Sequence, residues 1–593
     1  MSLKLSDNAI KVLEARYLKR NEERKIIETP EELFARIAKG IAHAELLFGR
    51  TKAADYWEEE FYNLLTSFDF LPNSPTIMNT GTSLGQLSAC FVIPVEDTME
   101  GIFQALRDMA IVQRTGGGTG FSFSKLRPKG GIVTSTGGEA SGPVSFMKIF
   151  DCATENIKQG GKRRGANMGI LKVDHPDIIE FITAKREESV LTNFNISVGV
   201  TDSFMQALEE DRDYELINPR TKKVVKRLKA RMVFDAIVEN AWETGDPGLV
   251  FLDTINRAQP TPEIGLIEST NPCGEVPLLP YESCNLASIN LSHMLKENKD
   301  KEEIDWEKLK ITTHKVIRFL DDVIEVNKFS IPQVEHITRG NRKIGLGVMG
   351  FAEMLIRLRI PYDSSKALSL AEKLMSFIAQ EALRASMNLA EERGVFPFWR
   401  KSIYAKKGIR VRNATQTSIA PTGTISIIAG TTTGIEPLFA IAYTRAHVLE
   451  EERLVEVNPI FLNYAIKEGF YSEELIQKIA KAGSIKNIPD IPKEAKKVFV
   501  TALEVSVEQH IRIQAAFQKY VDNSVSKTIN MPHESTPEDV KRAYLLAYQL
   551  GCKGITIYRY GSLKEQVLEL GVEEKFFERE HYSKCDPEAC RIP

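Results

Sequence analysis

Helical and strand-like segments alternate over several hundred residues of this chain, and that alternation limits the fold more than any other feature. Residues 193–200, NFNISVGV, read as a strand, and 345–355, GLGVMGFAEML, as a turn entering a helix. Residues 363–393 have helical periodicity, with Leu370, Leu374, Phe377 and Ile378 on one face and Gly394 as the stop. Thr536-Pro537-Glu538 caps a helix running to Leu550, Gly551 ends it, and residues 553–558 read as a final strand. Such alternation points to an α/β architecture. The first seventy residues differ: Thr29-Pro30-Glu31-Glu32 is a capping box, and Leu33, Ile37, Ile41 and Leu46-Leu47 follow at helical spacing. That region is too ordinary to suggest chemistry.

At 593 residues and 43% hydrophobic, the chain can bury a large core. A net charge of −3 gives no basic field for nucleic acid. The opening MSLKLSDNAIKVLEARYLKR has no apolar signal core, and the uncharged run 413–435, full of Thr, Gly and Pro, reads as a buried loop region and not a membrane span. A reducing cytoplasm is expected, where the seven cysteines serve catalysis, redox chemistry or packing more readily than structural disulfides.

Chemistry concentrates at Asn271-Pro272-Cys273-Gly274-Glu275, with Cys284 beyond two prolines. Residues two apart on extended backbone share a side, so an amide, a thiol and a carboxylate face one small ligand. Taken alone, a Pro-rich turn with incidental cysteines fits as well. Cys90 opens an apolar strand-like run closed by Glu96-Asp97 and reads either as core or as a working thiol. Two glycine-rich stretches follow. Residues 114–121, RTGGGTGF, are a weak signal for an anionic ligand without P-loop or dinucleotide spacing; residues 159–167, QGGKRRGAN, carry three cations among glycines, as a solvated turn or a phosphate contact. Residues 418–426, SIAPTGTIS, place hydroxyls and Gly at a helix start suited either to phosphate or to simple capping. Cys585 and Cys590 close the chain. Two ligands do not make a zinc site, so no metal is expected there, and a dithiol that exchanges with a buried disulfide is the sharper reading. Cys152 and Cys552 are expected to be core packing.

The set Cys90, Asn271-Pro272-Cys273-Gly274-Glu275, Cys284, Ala420-Pro421-Thr422-Gly423-Thr424 and a C-terminal cysteine pair, in that order, resembles the ribonucleotide reductase large chain. The resemblance runs from about Leu71 to Tyr560, plus the tail. It implies a helical region over 1–70, a catalytic domain over 71–560 and a redox tail over 561–593. The catalytic domain would be a ten-stranded α/β barrel of two antiparallel halves, each a parallel five-stranded sheet, around a central finger loop. Within it, Cys273 would carry a thiyl radical, Glu275 would take the 3′-hydroxyl proton, and Asn271 would hold the ribose hydroxyls. Cys90 and Cys284 would be the redox pair. Ser74 would contact substrate, and Thr422, Gly423 and Thr424 would hold its phosphates. Asp97 and Arg127 would bind a dNTP effector at a homodimer interface, with Arg163 linking effector identity to the substrate base. Cys585 and Cys590 would be recharged by a thioredoxin-like donor.

The radical source separates the branches of the family. Chains that receive the radical from a metal-containing subunit resemble one another in two adjacent tyrosines on the last strand; Thr556 and Ile557 stand there in this chain, with Tyr558 one position later. The resemblance therefore implies the class II branch, with adenosylcobalamin as cofactor and ribonucleoside diphosphates as substrates. No ATP-cone domain is evident in the N-terminal region, so ATP/dATP control of overall activity is not expected. A class I catalytic subunit is the alternative enzyme. A non-catalytic nucleotide-binding regulator would account for the basic glycine-rich loops but not for five cysteines at family positions.

Overall fold

The computed structural model describes residues 3–132, 137–159, 163–187, 189–299, 301–449 and 452–562. Ten strands form its main sheet: β1 (Phe70–Pro72), β2 (Cys90–Val92), β3 (Gly118–Ser122), β4 (Asn167–Lys172), β5 (Phe194–Val200), β6 (Gly248–Phe251), β7 (Glu282–Asn290), β8 (Ile344–Met349), β9 (Thr528–Met531) and β10 (Gly554–Arg559). Strands β2, β3, β4, β5 and β6 run parallel to one another in that order. Strand β7 is parallel to β8, and β9 to β10. Between these pairs lies residues 415–419, bridged in parallel to β8 at Leu346–Thr417 and to the lead-in of β9 at Ile419–Val525. The second half is thus also five parallel strands.

The halves meet antiparallel at β7–β2 and at β10–β6, which closes the barrel. Strand β1 adds antiparallel to the far end of β7, outside the ring. Closure leaves no barrel edge open, and ten strands enclose a wider interior than the eight that side chains alone can fill.

Helices cover the outside because each barrel strand has an apolar outward set. On β2, Phe91 joins the outer core of the first half with Met109, Val112 and Phe121, whereas Cys90 and Val92 face inward with Cys284, Leu286, Val276 and Leu278. The second half packs against helices Pro30–Ala42, Trp306–Val326 and Ser365–Arg393. The Thr29–Glu32 capping box forms, and Leu33, Ile37 and Ile41 are buried, but Leu46 and Leu47 lie exposed beyond a break at His43.

The N-terminal helices are locked to this half by buried charge. Arg393 pairs with Glu45 at 2.6 Å, Asp321 at 2.8 Å and Asp322 at 2.6 Å, all fully buried. Removing one partner of such a cluster costs about 3–5 kcal/mol, so the relative placement of these helices is strongly defined.

Two local readings change. Residues 345–355 are expected as a turn into a helix, but Ile344–Met349 form the buried strand β8, and the helix starts only at Phe351. The run is short, apolar and flanked by glycine, where strand and helix are not separable by periodicity. A side chain at Gly347 would overlap the Ser418 carbonyl, so its glycine serves close strand packing. Residues 413–435, read as buried loop, contain the eighth barrel strand in chain order and helix Gly423–Ala429. Among the described residues no helix is long and apolar enough to cross a membrane.

Candidate active site

A short hairpin, Ser269–Thr270 paired with Pro277–Leu278, carries residues 271–276 into the barrel. Its tip is shaped by its own residues. Gly274 donates its N–H to the Asn271 carbonyl at 3.1 Å and has φ +80°, a conformation that favours glycine. Asn271 Oδ1 accepts from the Val276 N–H at 3.0 Å, and Asn271 Nδ2 donates to Glu275 Oε2 at 2.8 Å. The amide therefore closes the loop and orients the carboxylate together.

Both halves of the barrel hold the tip. Asn195 Nδ2, on β5, donates to the Pro272 carbonyl at 2.8 Å. The Glu275 carbonyl accepts from Ser524 N–H at 2.8 Å and from Ser418 Oγ at 2.9 Å. The wall against the loop is bare. A Cβ on Gly118 would sit 2.9 Å from Pro272 Cγ, and one on Gly120 would overlap the Thr270 carbonyl oxygen and lie 2.8 Å from its carbon. The glycine run at 116–120, read as a weak anion-loop signal, instead gives the strand space for the finger loop.

Below the tip, Cys90 and Cys284 stand directly opposite each other across β2 and β7. Facing residues of an antiparallel pair have Cα atoms about 4.5–5.5 Å apart, inside the range a disulfide spans. Both are buried thiols. Cys90 Sγ lies 4.0 Å from Glu275 Oε1. Burial raises both thiols well above the ordinary cysteine range, with the carboxylates of Glu275 near Cys90 and Glu282 near Cys284 adding to it. They are held as protonated thiols. Burial also raises Glu275 to about 7, against a lowering contribution from the Asn271 hydrogen bond. A carboxyl poised there can take up and return a proton near neutral pH. Cys273, in contrast, is exposed at the tip. Asn271, Cys273, Glu275, Cys90 and Cys284 thus come together in one place.

The other expected residues stand on separate elements. Ser74 is the first residue of helix Ser74–Asn79, and its hydroxyl hydrogen bonds with Tyr17 Oη at 2.8 Å. Thr422 precedes helix Gly423–Ala429 and is buried, its Oγ1 accepting from the Gly434 N–H at 2.7 Å. A side chain on Gly423 would meet nothing within 4 Å, so that turn of the helix is open. Thr424 Oγ1 accepts from Arg16 Nη1 at 3.0 Å. Asp97 and Arg127 are brought into contact: Arg127 donates its N–H to Asp97 Oδ1 at 3.0 Å and its Nε to both carboxylate oxygens at 3.0–3.1 Å. The Arg163 side chain, Cys585 and Cys590 lie outside the described residues. Cys552 is buried as expected; Cys152 is not core but exposed, on the outer face of helix Pro143–Asn156. On β10, Thr556 and Tyr558 share one face while Ile557 is buried on the other in the outer core.

Sequence reasoning missed the contacts of Arg16 and Tyr17, since nothing local marks a helix-end arginine for a partner 408 positions away. It also missed Asn195, Ser418 and Ser524 as anchors of the loop. The polar residues within the strand-like run 193–200 were the available hint for the first of these.

Comparison with known proteins agrees with this fold. A family model described as ribonucleotide reductase, all-alpha domain, matches residues 3–85, and one described as ribonucleotide reductase, barrel domain, matches 88–411 and 406–558. A vitamin B12-dependent ribonucleoside-diphosphate reductase of Thermoplasma acidophilum is 52% identical, over 96% of this chain and 81% of its own. One from Mycobacterium tuberculosis is also 52% identical, over 95% and 81%. Among solved structures, the class Id ribonucleotide reductase alpha subunit of Actinobacillus ureae superposes with a TM-score of 0.75 at 25% identity, covering 94% of this chain and 97% of that one.

Proposed function

The chain belongs to the ribonucleotide reductase large-subunit family, and on that premise we propose that it reduces ribonucleoside diphosphates to 2′-deoxyribonucleotides, with adenosylcobalamin as the radical source. The observation that carries the reading is two buried thiols facing each other across a barrel seam, directly beneath a loop that presents an amide, a third thiol and a carboxylate.

Each group has a task its surroundings suit. Cys273, exposed at the tip, removes the 3′-hydrogen of the ribose as a thiyl radical and returns it at the end. Glu275 accepts the 3′-hydroxyl proton, which eases loss of the 2′-hydroxyl from the substrate radical. Asn271 holds the carboxylate and turns its amide to the ribose hydroxyls. Cys90 and Cys284 together give two electrons and two protons. The 2′-hydroxyl leaves as water, C2′ gains a hydrogen, and the two sulfurs end as one disulfide. That bond is buried on both sides, so its reduction requires a second dithiol to enter, the role assigned to Cys585 and Cys590 with a thioredoxin-like donor.

Adenosylcobalamin would supply, by homolysis of its cobalt–carbon bond, the radical equivalent that reaches Cys273. The site suits a large cofactor lying against the loop tip: Cys273 is exposed, and a side chain at Gly274 would meet nothing within 4 Å. Thr556 and Ile557, where paired tyrosines would serve a relay from another subunit, support the same branch. So does 52% identity to relatives named as vitamin B12-dependent, against 25% to the class Id subunit.

Thr422, Gly423 and Thr424 form the phosphate end of the substrate site, and the Ser74 hydroxyl contacts the substrate. Asp97 and Arg127 form the effector site, with Arg163 linking effector identity to the substrate base. The exposed apolar side chains Met99, Phe103 and Ile149, on helices next to Asp97, suit a homodimer face. The thiol chemistry suits a reducing, cytoplasmic setting.

The test is deoxynucleotide formation by the purified chain with adenosylcobalamin and dithiothreitol, and no second protein. Activity appearing only after a metal-containing subunit is added would refute the cobalamin assignment. Cys273→Ser must abolish turnover.

A further inference from the structure

The N-terminal helical region carries no role in the chemistry described so far, yet it touches the substrate site twice. Helix Asp7–Arg16 packs on helix Gly423–Ala429. Its last residue, Arg16, donates from Nη1 to Thr424 Oγ1 at 3.0 Å. The next residue, Tyr17, is buried, and its hydroxyl hydrogen bonds with Ser74 Oγ at 2.8 Å. Two hydroxyls from distant parts of the barrel chain are therefore engaged by two consecutive residues of one helix end. The charge balance gives this meaning. A nucleoside diphosphate brings several negative charges, and Ser74, Thr422, Gly423 and Thr424 offer none to offset them. Arg16 is a cation in direct contact with that set. Half-buried, it is screened less than a surface side chain, and its planar fork matches phosphate oxygens. The buried Glu45–Arg393 pair ties the helical region to the barrel.

We infer that Arg16 is a substrate-binding residue whose guanidinium, aimed by the Thr424 hydroxyl, pairs with the terminal phosphate of the ribonucleoside diphosphate, and that Tyr17 is a positioning residue for the Ser74 hydroxyl. The inference rests on the phosphate-end reading of Thr422, Gly423 and Thr424. It makes the all-helical region one wall of the active site and gives the enzyme a means to distinguish a diphosphate from a monophosphate.

The test is calorimetric binding of ribonucleoside diphosphates and the matching monophosphates to the full chain without adenosylcobalamin, so that substrate is not consumed. Arg16→Gln is expected to weaken diphosphate binding by about 10- to 100-fold and monophosphate binding far less, so that the preference collapses, while the melting temperature holds. Arg16→Lys should restore part of the loss. In turnover, Tyr17→Phe should raise KM several-fold with kcat little changed. Equal weakening of both ligands by Arg16→Gln, or diphosphate binding within about twofold of wild type, would overturn the inference. Thr424→Val separates the two levels. If it weakens diphosphate binding while Arg16→Gln does not, only the role of Arg16 fails; if neither variant has an effect, the phosphate-end reading fails with it.

Discussion

Replacing Gly120 by alanine tests whether the position of the finger loop, and not only its composition, sets the rate. The added Cβ would overlap the Thr270 carbonyl oxygen and lie 2.8 Å from its carbon. Carbon–carbon contacts settle at about 3.5–4.0 Å, and the oxygen overlap is the tighter of the two, so strand and loop must separate by more than about 1 Å. The contact is with backbone, and no rotamer change relieves it. Thr270 precedes Asn271 directly, so the shift passes to the amide, thiol and carboxylate together. Misplacement of reacting groups by about 1 Å costs about 100-fold in rate, and overpacking of this kind costs about 1–3 kcal/mol of stability. Gly120→Ala should therefore lower kcat by about two orders of magnitude in the adenosylcobalamin–dithiothreitol assay, in a protein that still melts cooperatively well above the assay temperature. Gly265→Ala is the control, because its Cβ would meet only Leu279 Cδ2, at an ordinary 3.6 Å. Turnover by Gly120→Ala within about threefold of wild type would show that loop placement tolerates such a shift and would refute the argument.

Glu275→Gln removes the base: kcat should fall by about 10²–10⁴, and the rising limb near pH 7 in the wild-type profile should vanish. The stability sign runs the other way. The folded-state pKa is raised from 4.5 to about 7, so the stability associated with the protonated carboxyl is complete below pH 4.5 and lost as pH rises through 7; at pH 8 the variant should exceed wild type by up to about 3 kcal/mol in urea melts, and a stability difference that does not change between pH 5 and 8 would contradict the burial argument. One turnover without reductant should leave a Cys90–Cys284 disulfide detectable by peptide mass, and Cys284→Ser should leave none; a different cysteine pair would displace these two from the redox role. Cys585→Ser should keep activity with dithiothreitol and lose it with a thioredoxin-type donor, and equal loss with both would remove the tail from the electron route.

Local signals were legible in the sequence. The Thr29 capping box, the Thr536 cap, the long helix ending at Arg393 and the strands at 194–200 and 554–559 depend on near neighbours, and near neighbours specify them. Strand β8 was misread because a six-residue apolar run carries no period of its own; being sandwiched between β7 and residues 415–419 makes it a strand. The glycines at 118 and 120 drew attention for the wrong reason, since the partner that requires them is a loop about 150 residues later, not an anion. Arg16 and Tyr17 had no signal at all.

The sequence by itself determined the reacting inventory: an amide, a thiol and a carboxylate at alternate positions on a loop bent by proline and glycine, with further thiols before and after. It also determined the α/β class, because periodicity is a property of neighbours. Tertiary structure decided which thiol has which neighbour. Cys90 faces Cys284 because β2 and β7 pair in one register; a slip by a single residue would turn Cys284 to the outer, helix-covered side and leave the site without its pair. The raised pKa of Glu275 is likewise a product of burial inside the closed barrel, which no stretch of sequence contains. The residues supply the groups, and the closed ring of strands brings them together at one loop and buries all of them but Cys273.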